Sequence, residues 1–286
     1  MTVQITASEG GMSHNKVLGI GLIGAIICMY LTYLNTILGV QYFSFFGGIA
    51  AVFALWWGTD TIKHLCSYGL GTGVPSAGMI ALGSGAIAMI LATKINMFGP
   101  LVIPVLCVVI AAILGAIIGY VANNIVNMNI PVMVVSIAEL CIVGAITVLG
   151  LSTMATGTFV FADLITGTAT FFGIPVTNYA ASYIGGGAIA VAFMLGAIAV
   201  QHAFNACLGP NESQDRTLML AAECGFLSMI MMSIVSIAFL NLSTVLLSFL
   251  ISFVCWVYTY KRYFELSKRD AFMWLDAKPI REKEEA

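Results

Sequence analysis

The chain has 286 residues, of which 60% are hydrophobic and only 8% are charged, whereas soluble globular domains carry about 25% charged residues. These proportions exclude a soluble globular protein and predict a protein of the lipid bilayer, without a nucleic acid partner. The net charge of -2 says little about partners, because seven of the eleven Lys and Arg residues lie in positions 261–286.

Eight mainly apolar runs approach or exceed the ~20 residues that a membrane-spanning helix needs. They are 17–38, 43–65, 78–95, 101–126, 130–152, 179–207, 217–239 and 242–260. The last two are separated only by Leu240 and Asn241, so a single very long helix, with seven spans in total, is the alternative. We predict an all-α, polytopic integral membrane bundle of about eight helices over residues 1–264. A cytoplasmic C-terminal tail, 265–286, follows it.

The orientation of the spans follows from basic residues near their ends, which favour the cytoplasmic side. The Lys- and Arg-rich tail is therefore predicted to be cytoplasmic. With eight spans the N-terminus, which carries Lys16, lies on the same side. The segment 153–178 has no basic residue and is predicted to be external. These features place the protein in the cell membrane as a multi-pass protein.

Three of the predicted cytoplasmic loops resemble each other, since each contains Gly, Asn or Pro and is followed by a renewed helix. Eight residues after Pro131 stands Glu139, and eight residues after Asp215 stands Glu223. At 1.5 Å per residue both carboxylates would lie about 12 Å above their helix starts. The first loop has Gly83 in the equivalent position. The pattern is compatible with degenerate helical-hairpin repeats, although low-complexity composition also produces such patterns.

Acidic residues inside the apolar runs are the strongest candidates for function. A charged side chain at mid-membrane costs at least about 2.5 to 3.5 kcal/mol, so such a residue is a functional hypothesis by default. Glu223 and Glu139 are the leading candidates for an ion path, and Asp60 is a third. The alternatives are a hydrogen bond between helices for the two glutamates and an interfacial ion pair with Lys63 for Asp60.

Further polar residues are secondary candidates. They are Asp163 in the external segment 153–179, and Gln201 and Asn205 at the end of the sixth span. The external segment is either a re-entrant piece or a surface loop, and the surface loop is favoured. The charged stretch between the sixth and seventh spans supplies candidates for a cytoplasmic coupling loop, namely Glu212, Asp215 and Arg216.

Sodium prefers oxygen ligands, but a proton path would use the same acids, so the residues do not separate the two ions. We find no Walker-type phosphate loop, no metal-binding histidine cluster and no Ser-His-Asp arrangement in the sequence. Single cysteines without C-x-x-C spacing indicate neither a zinc nor a redox site. The residues therefore predict no catalytic residue in this chain and no metal other than Na+.

Three strings within this membrane sequence carry a family resemblance. They are FNACLGPNESQDRTLMLAAECG (204–225), WWGTDTIKHLCSYGLGTGVPSAGMIALG (56–83) and MNIPVMVVSIAEL (128–140). With them the chain resembles the C subunit of tetrahydromethanopterin S-methyltransferase, an integral membrane complex of methanogenic archaea. The first string is the most specific, because membrane composition does not supply its polar residues by chance.

The resemblance implies more than the residues themselves indicate. Such complexes pass a methyl group from methyl-tetrahydromethanopterin to a corrinoid cobalt and then to coenzyme M, and they export sodium ions. The corrinoid belongs to another, cytoplasmic subunit, so this chain is expected to bind no cofactor alone. The implied partners are the other membrane and cytoplasmic subunits of the complex and the bilayer. The resemblance implies a role in the sodium passage and in a platform for the corrinoid subunit. The alternatives are a stand-alone secondary transporter and a purely structural membrane subunit.

Overall fold

The computed structural model describes residues 12–68, 74–95, 99–159, 169–206 and 214–276. Within these ranges the α-helices are α1 (His14–Leu31), α2 (Leu34–Leu38), α3 (Phe45–Ser67), α4 (Val74–Lys94), α5 (Ile103–Tyr120), α6 (Met133–Thr156), α7 (Asn178–Ala206), α8 (Gln214–Val235) and α9 (Leu242–Asp276). Short 3-10 helices, Gln41–Ser44, Pro100–Val102 and Ser236–Ala238, and a π-helical turn, Val121–Ile125, adjoin them. Two antiparallel strands, β1 (Thr170–Phe171) and β2 (Ile174–Pro175), form a small hairpin.

The predicted helical membrane bundle is confirmed. Seven helical segments in the described part of the chain are long and apolar enough to cross a bilayer. They are His14–Leu38, Gln41–Cys66, Pro100–Ile125, Met133–Thr156, Asn178–Val200, Asp215–Ala238 and Leu242–Arg269. The third predicted run, 78–95, corresponds to the shorter apolar helix Gly78–Lys94.

The last two predicted runs are separate helices. The 3-10 turn Ser236–Ala238 ends α8, and α9 begins at Leu242, so a single long helix does not form over these two runs. Helix α9 then continues to Asp276, across the predicted boundary between the transmembrane domain, which ends at residue 264, and the tail, which begins at residue 265.

Helix α6 forms the centre of the bundle. It packs against α3, α4, α5 and α7, and every residue in 139–156 is buried. A helix that is mainly apolar on all sides is typical of such a central position, because it packs against neighbours on every side. The helices that pack on α6 are therefore held in fixed positions relative to one another.

Small residues let the neighbouring helices approach α6 closely, as is common in membrane bundles. Gly47 of α3 lies against the backbone of Gly150 of α6 so closely that neither position has room for a Cβ atom. On α5, a Cβ atom at Gly115 would lie 2.6 Å from the Cα atom of Ala138. The close contacts fix the register between these helices, and hence the heights of the polar residues that they carry.

Candidate functional site

Two buried carboxylates meet where α3 and α6 contact each other near one end of the bundle. Asp60 lies seven residues before Ser67, where α3 ends, and Glu139 lies six residues after Met133, where α6 begins. Their exposed fractions are 4% and 5%. Gly47 contacts Gly150 and Thr61 contacts Glu139, so α3 and α6 run in opposite directions. The end of α3 and the beginning of α6 therefore supply acids to the same level.

His14, the first residue of α1, lies between these carboxylates. Its Nδ1 atom is 2.9 Å from Oδ2 of Asp60 and its Nε2 atom is 3.4 Å from Oε2 of Glu139. A neutral imidazole carries one N–H group, whereas the protonated ring carries two. The ring places one nitrogen against each acid, and only its protonated form presents an N–H group to both.

Two further groups from α3 contact Glu139. Its Oε2 atom accepts hydrogen bonds from Trp57 Nε1 at 3.1 Å and from Thr61 Oγ1 at 2.8 Å. Trp57 and Thr61 are four residues apart, so both project from one face of α3. Hydrogen bonding of this kind offsets the large cost of burying a charge. We refer to His14, Trp57, Asp60, Thr61 and Glu139 as the carboxylate cluster.

Basic and aromatic side chains near the end of α3 lie next to the carboxylate cluster. The ring of His64 stacks on that of His14 with 4.4 Å between centroids and an interplanar angle of 8°. Tyr68 contacts His64 edge to face at 5.4 Å. Lys63, half-buried, follows Asp60 by three residues. The cluster thus combines two acids with several nearby groups that can carry positive charge.

The two leading sequence candidates differ in setting. The 12 Å depth predicted for Glu139 is too large, because α6 begins at Met133 and Pro131 lies in the preceding turn, which leaves about 9 Å. Glu223 of α8 is half-buried. Helix α8 packs on α3 where Gly225 contacts Val52. Val52 precedes Asp60 by eight residues, which is about 12 Å along α3. Both glutamates therefore lie on helices that pack on α3.

The coupling-loop candidates fall near the same end of the bundle. Asp215 is exposed in the first turn of α8, and Arg216, which follows it, is half-buried. Asp215, Met12 and Arg262 line one mainly apolar cavity of about 480 Å³. Because Met12 is two residues from His14, this cavity lies close to the start of α1 and so to the carboxylate cluster.

The remaining candidates have less structural context. Gln201 and Asn205 lie in the last turns of α7. Glu212 and Asp163 lie outside the described residues. The external segment predicted as 153–179 is shorter at both ends, because α6 continues to Thr156 and α7 begins at Asn178.

Sequence reasoning missed His14 and Trp57. The available signal for His14 was a histidine three residues before the first apolar run, and Trp57 stands in the same turn as the candidate Asp60. Neither signal pairs these residues with Glu139, which is 82 positions from Trp57.

Comparisons with known proteins gave consistent results. The family model for the C subunit of tetrahydromethanopterin S-methyltransferase matches residues 2–282. The chain is 38% identical to the C subunit of Methanosarcina mazei over 93% of this chain and 91% of that protein. It is 35% identical to the same subunit of Methanothermobacter marburgensis, over 90% and 89% of the two chains. With that of Methanocaldococcus jannaschii it shares 32% identity over 97% and 100%.

Proposed function

Because the chain belongs to the family of the C subunit of tetrahydromethanopterin S-methyltransferase, we propose that it helps form a sodium passage through that membrane complex. The carboxylate cluster is the proposed ion site. One observation carries the proposal: two carboxylates from different spans are buried within contact of one imidazole. A purely packing role would need no second buried acid at this place.

The chemistry of the carboxylate cluster suits sodium as the transported ion. Carboxylate and hydroxyl oxygens are the ligands that hard cations prefer, and Asp60, Thr61 and Glu139 supply them. Buried intramembrane acids are costly and commonly mark ion pathways. The chain contributes no catalytic residue in this proposal, and the corrinoid and methyl-transfer chemistry belongs to other subunits.

The coupling to methyl transfer requires a conformational change. Moving one positive charge outward against 100 mV costs about 2.3 kcal/mol, which the transfer of a methyl group to a thiol would have to supply. A ligand shifts an equilibrium only through different affinities for its two states. The methylated and demethylated corrinoid must therefore contact the membrane subunits differently.

Asp60→Asn is the first test of the ion site. We expect the complex to assemble and the sodium concentration for half-maximal methyl transfer to coenzyme M to rise about threefold, roughly 0.7 kcal/mol, because one anionic oxygen ligand is lost. The measurement is methyl transfer by the purified complex in a sodium titration at constant ionic strength. An unchanged titration curve in the intact variant complex would refute the ion site.

We further propose that the cluster lies at the cytoplasmic end, together with both termini, and that this end receives the corrinoid subunit. The loop between α5 and α6 supports a docking role. Asn123 Oδ1 accepts a hydrogen bond from the N–H of Ile130 at 2.8 Å. Asn127 and Asn129 adopt left-handed backbone conformations, with φ of 63° and 53°, which asparagine tolerates better than most residues. The asparagines thus shape a loop that exposes the apolar side chain of Val126.

Val126→Asn tests this platform. Val126 is 66% exposed, so we expect the change to leave the fold intact and to remove an apolar contact from the proposed docking surface. We expect recovery of the cytoplasmic subunits with the membrane subunits to fall about fivefold, roughly 1 kcal/mol. Phe172→Asn is the matched control, because Phe172 is 69% exposed in the hairpin at the opposite end and has a φ of 49° that asparagine accepts. Equal losses in both variants would contradict the platform.

A purely structural subunit is the second candidate, because the hydrogen bonds from Trp57 and Thr61 also serve to join α3 to α6. Membership in a subunit family leaves the stand-alone transporter without support. If the subunit is purely structural, Asp60→Asn and Glu139→Gln should change assembly or thermal stability. The sodium titration should then be the same as that of the unaltered complex.

A further inference from the structure

We propose that His14 is an internal plug of the ion site, occupying the place that a sodium ion takes when the first turn of α1 withdraws. The inference rests on the proposed sodium site and concerns what controls entry to it. Its basis is positional, since the ring lies 2.9 Å from one carboxylate and 3.4 Å from the other. A cation that contacted both carboxylates at once would lie where the imidazole now lies.

The charges around the cluster support an exchange of one cation for another. Glu139 comes from α6, Asp60, Lys63 and His64 come from α3, and His14 comes from α1. The ring of His14 occupies the position between both acids, so a sodium ion that contacts both of them has to take its place. Withdrawal of His14 leaves two buried acids without this partner, and sodium then restores the charge that has left.

The start of α1 is built so that its first turn can leave while the rest of the helix stays. Ser13 precedes the helix and makes no side-chain capping hydrogen bond, so the first N–H groups lack that support. Val17 is fully buried, and Gly21 packs against Cβ of Trp57. The contact of Gly21 with Trp57 holds α1 on α3 beyond the first turn. Fraying of a helix terminus, the least stable part of a fold, is enough to move His14.

His14→Gln in the whole complex tests the plug. Glutamine keeps a hydrogen-bonding side chain but removes the cation, so sodium no longer has to displace a positive charge. We expect the sodium concentration for half-maximal methyl transfer to fall about fivefold at constant pH and ionic strength. His14→Lys keeps a cation at this position and should leave the value equal to or above that of the unaltered complex.

Lys16→Gln is the matched control, because Lys16 is an exposed cation of the same helix turn. It should leave the titration unchanged. A higher sodium requirement in His14→Gln would show that His14 helps to hold the ion, and an unchanged requirement would show that the two do not compete. Either result overturns the plug. A raised sodium requirement in Asp60→Asn together with an unchanged requirement in His14→Gln overturns the plug alone, whereas an unchanged requirement in both variants overturns the ion site as well.

A second measurement uses the unaltered complex, in case the variants fail to assemble. Hydrogen exchange is compared in sodium chloride and in choline chloride at equal ionic strength. We expect sodium to speed amide exchange in residues 13–17 and to leave exchange in 18–31 unchanged. Equal exchange of residues 13–17 in the two salts, under conditions where sodium stimulates methyl transfer, would overturn the proposal.

Discussion

Replacing Glu139 with glutamine is expected to raise the sodium concentration for half-maximal methyl transfer at least about tenfold, or roughly 1.4 kcal/mol. Glutamine has nearly the same shape, and its amide oxygen can still accept the hydrogen bonds from Trp57 and Thr61. The bonds that join α3 to α6 are therefore kept, while the negative charge that faces His14 is lost. The complex should assemble normally and respond poorly to sodium.

The effect is expected to exceed that of Asp60→Asn because of the surroundings of the two acids. Trp57, Thr61 and His14 all contact one oxygen of Glu139, so the carboxylate is fixed by three side chains from two other helices. A fixed anionic oxygen binds a cation better than a mobile one, because less conformational freedom is lost on binding. Sodium titrations of methyl transfer and uptake of radioactive sodium into vesicles would measure the difference.

Two other glutamates provide comparisons for Glu139→Gln. Glu265→Gln makes the same chemical change at a side chain that is 67% exposed and paired only at the surface with Arg262. It should leave the titration unchanged, because surface pairs contribute little. Glu223→Gln should raise the sodium requirement less than Glu139→Gln, since Glu223 is half-buried. A larger effect at Glu223 would move the ion site towards α8.

Replacing Gly150 with alanine is expected to destabilise the bundle by about 1 to 3 kcal/mol, the usual cost of an added carbon in a filled interior. A Cβ atom at Gly150 would collide with the carbonyl oxygen of Gly47 on α3. The obstacle is backbone in the neighbouring helix, which no side-chain rotation can clear. Since α3 and α6 carry both acids of the carboxylate cluster, their separation should also weaken the sodium response.

Gly186→Ala is the control for this substitution, because a Cβ atom at this exposed position of α7 meets nothing within 4 Å. Alanine is about 1 kcal/mol better than glycine in a helix interior, so this variant should be as stable as the unaltered chain or slightly more stable. Thermal unfolding in detergent, followed by loss of the assembled complex, measures both variants. Equal stability of the two would contradict the close packing of α3 on α6.

The sequence by itself determined the class of the protein, the position of its spans and its family. Apolar runs of membrane-crossing length reveal the helices because the bilayer imposes one length and one polarity on each of them. Asp60 and Glu139 stand out in the sequence for the same reason, since a charge is costly there. The sequence left open whether the last two runs form one helix, and the structure separates them into α8 and α9 around Leu240 and Asn241.

Only the tertiary structure decided which polar residues meet. His14 precedes the first apolar run and Trp57 resembles an ordinary aromatic of a span, so neither attracts notice by composition. Their contacts with Asp60 and Glu139 depend on how α1, α3 and α6 are turned about their axes and how far they are shifted along one another. Close glycine contacts such as Gly47 with Gly150 set that geometry. Periodicity and spacing within one helix carry no information about the rotation of its neighbours, which is why the pairing of these residues emerged only from the packed bundle.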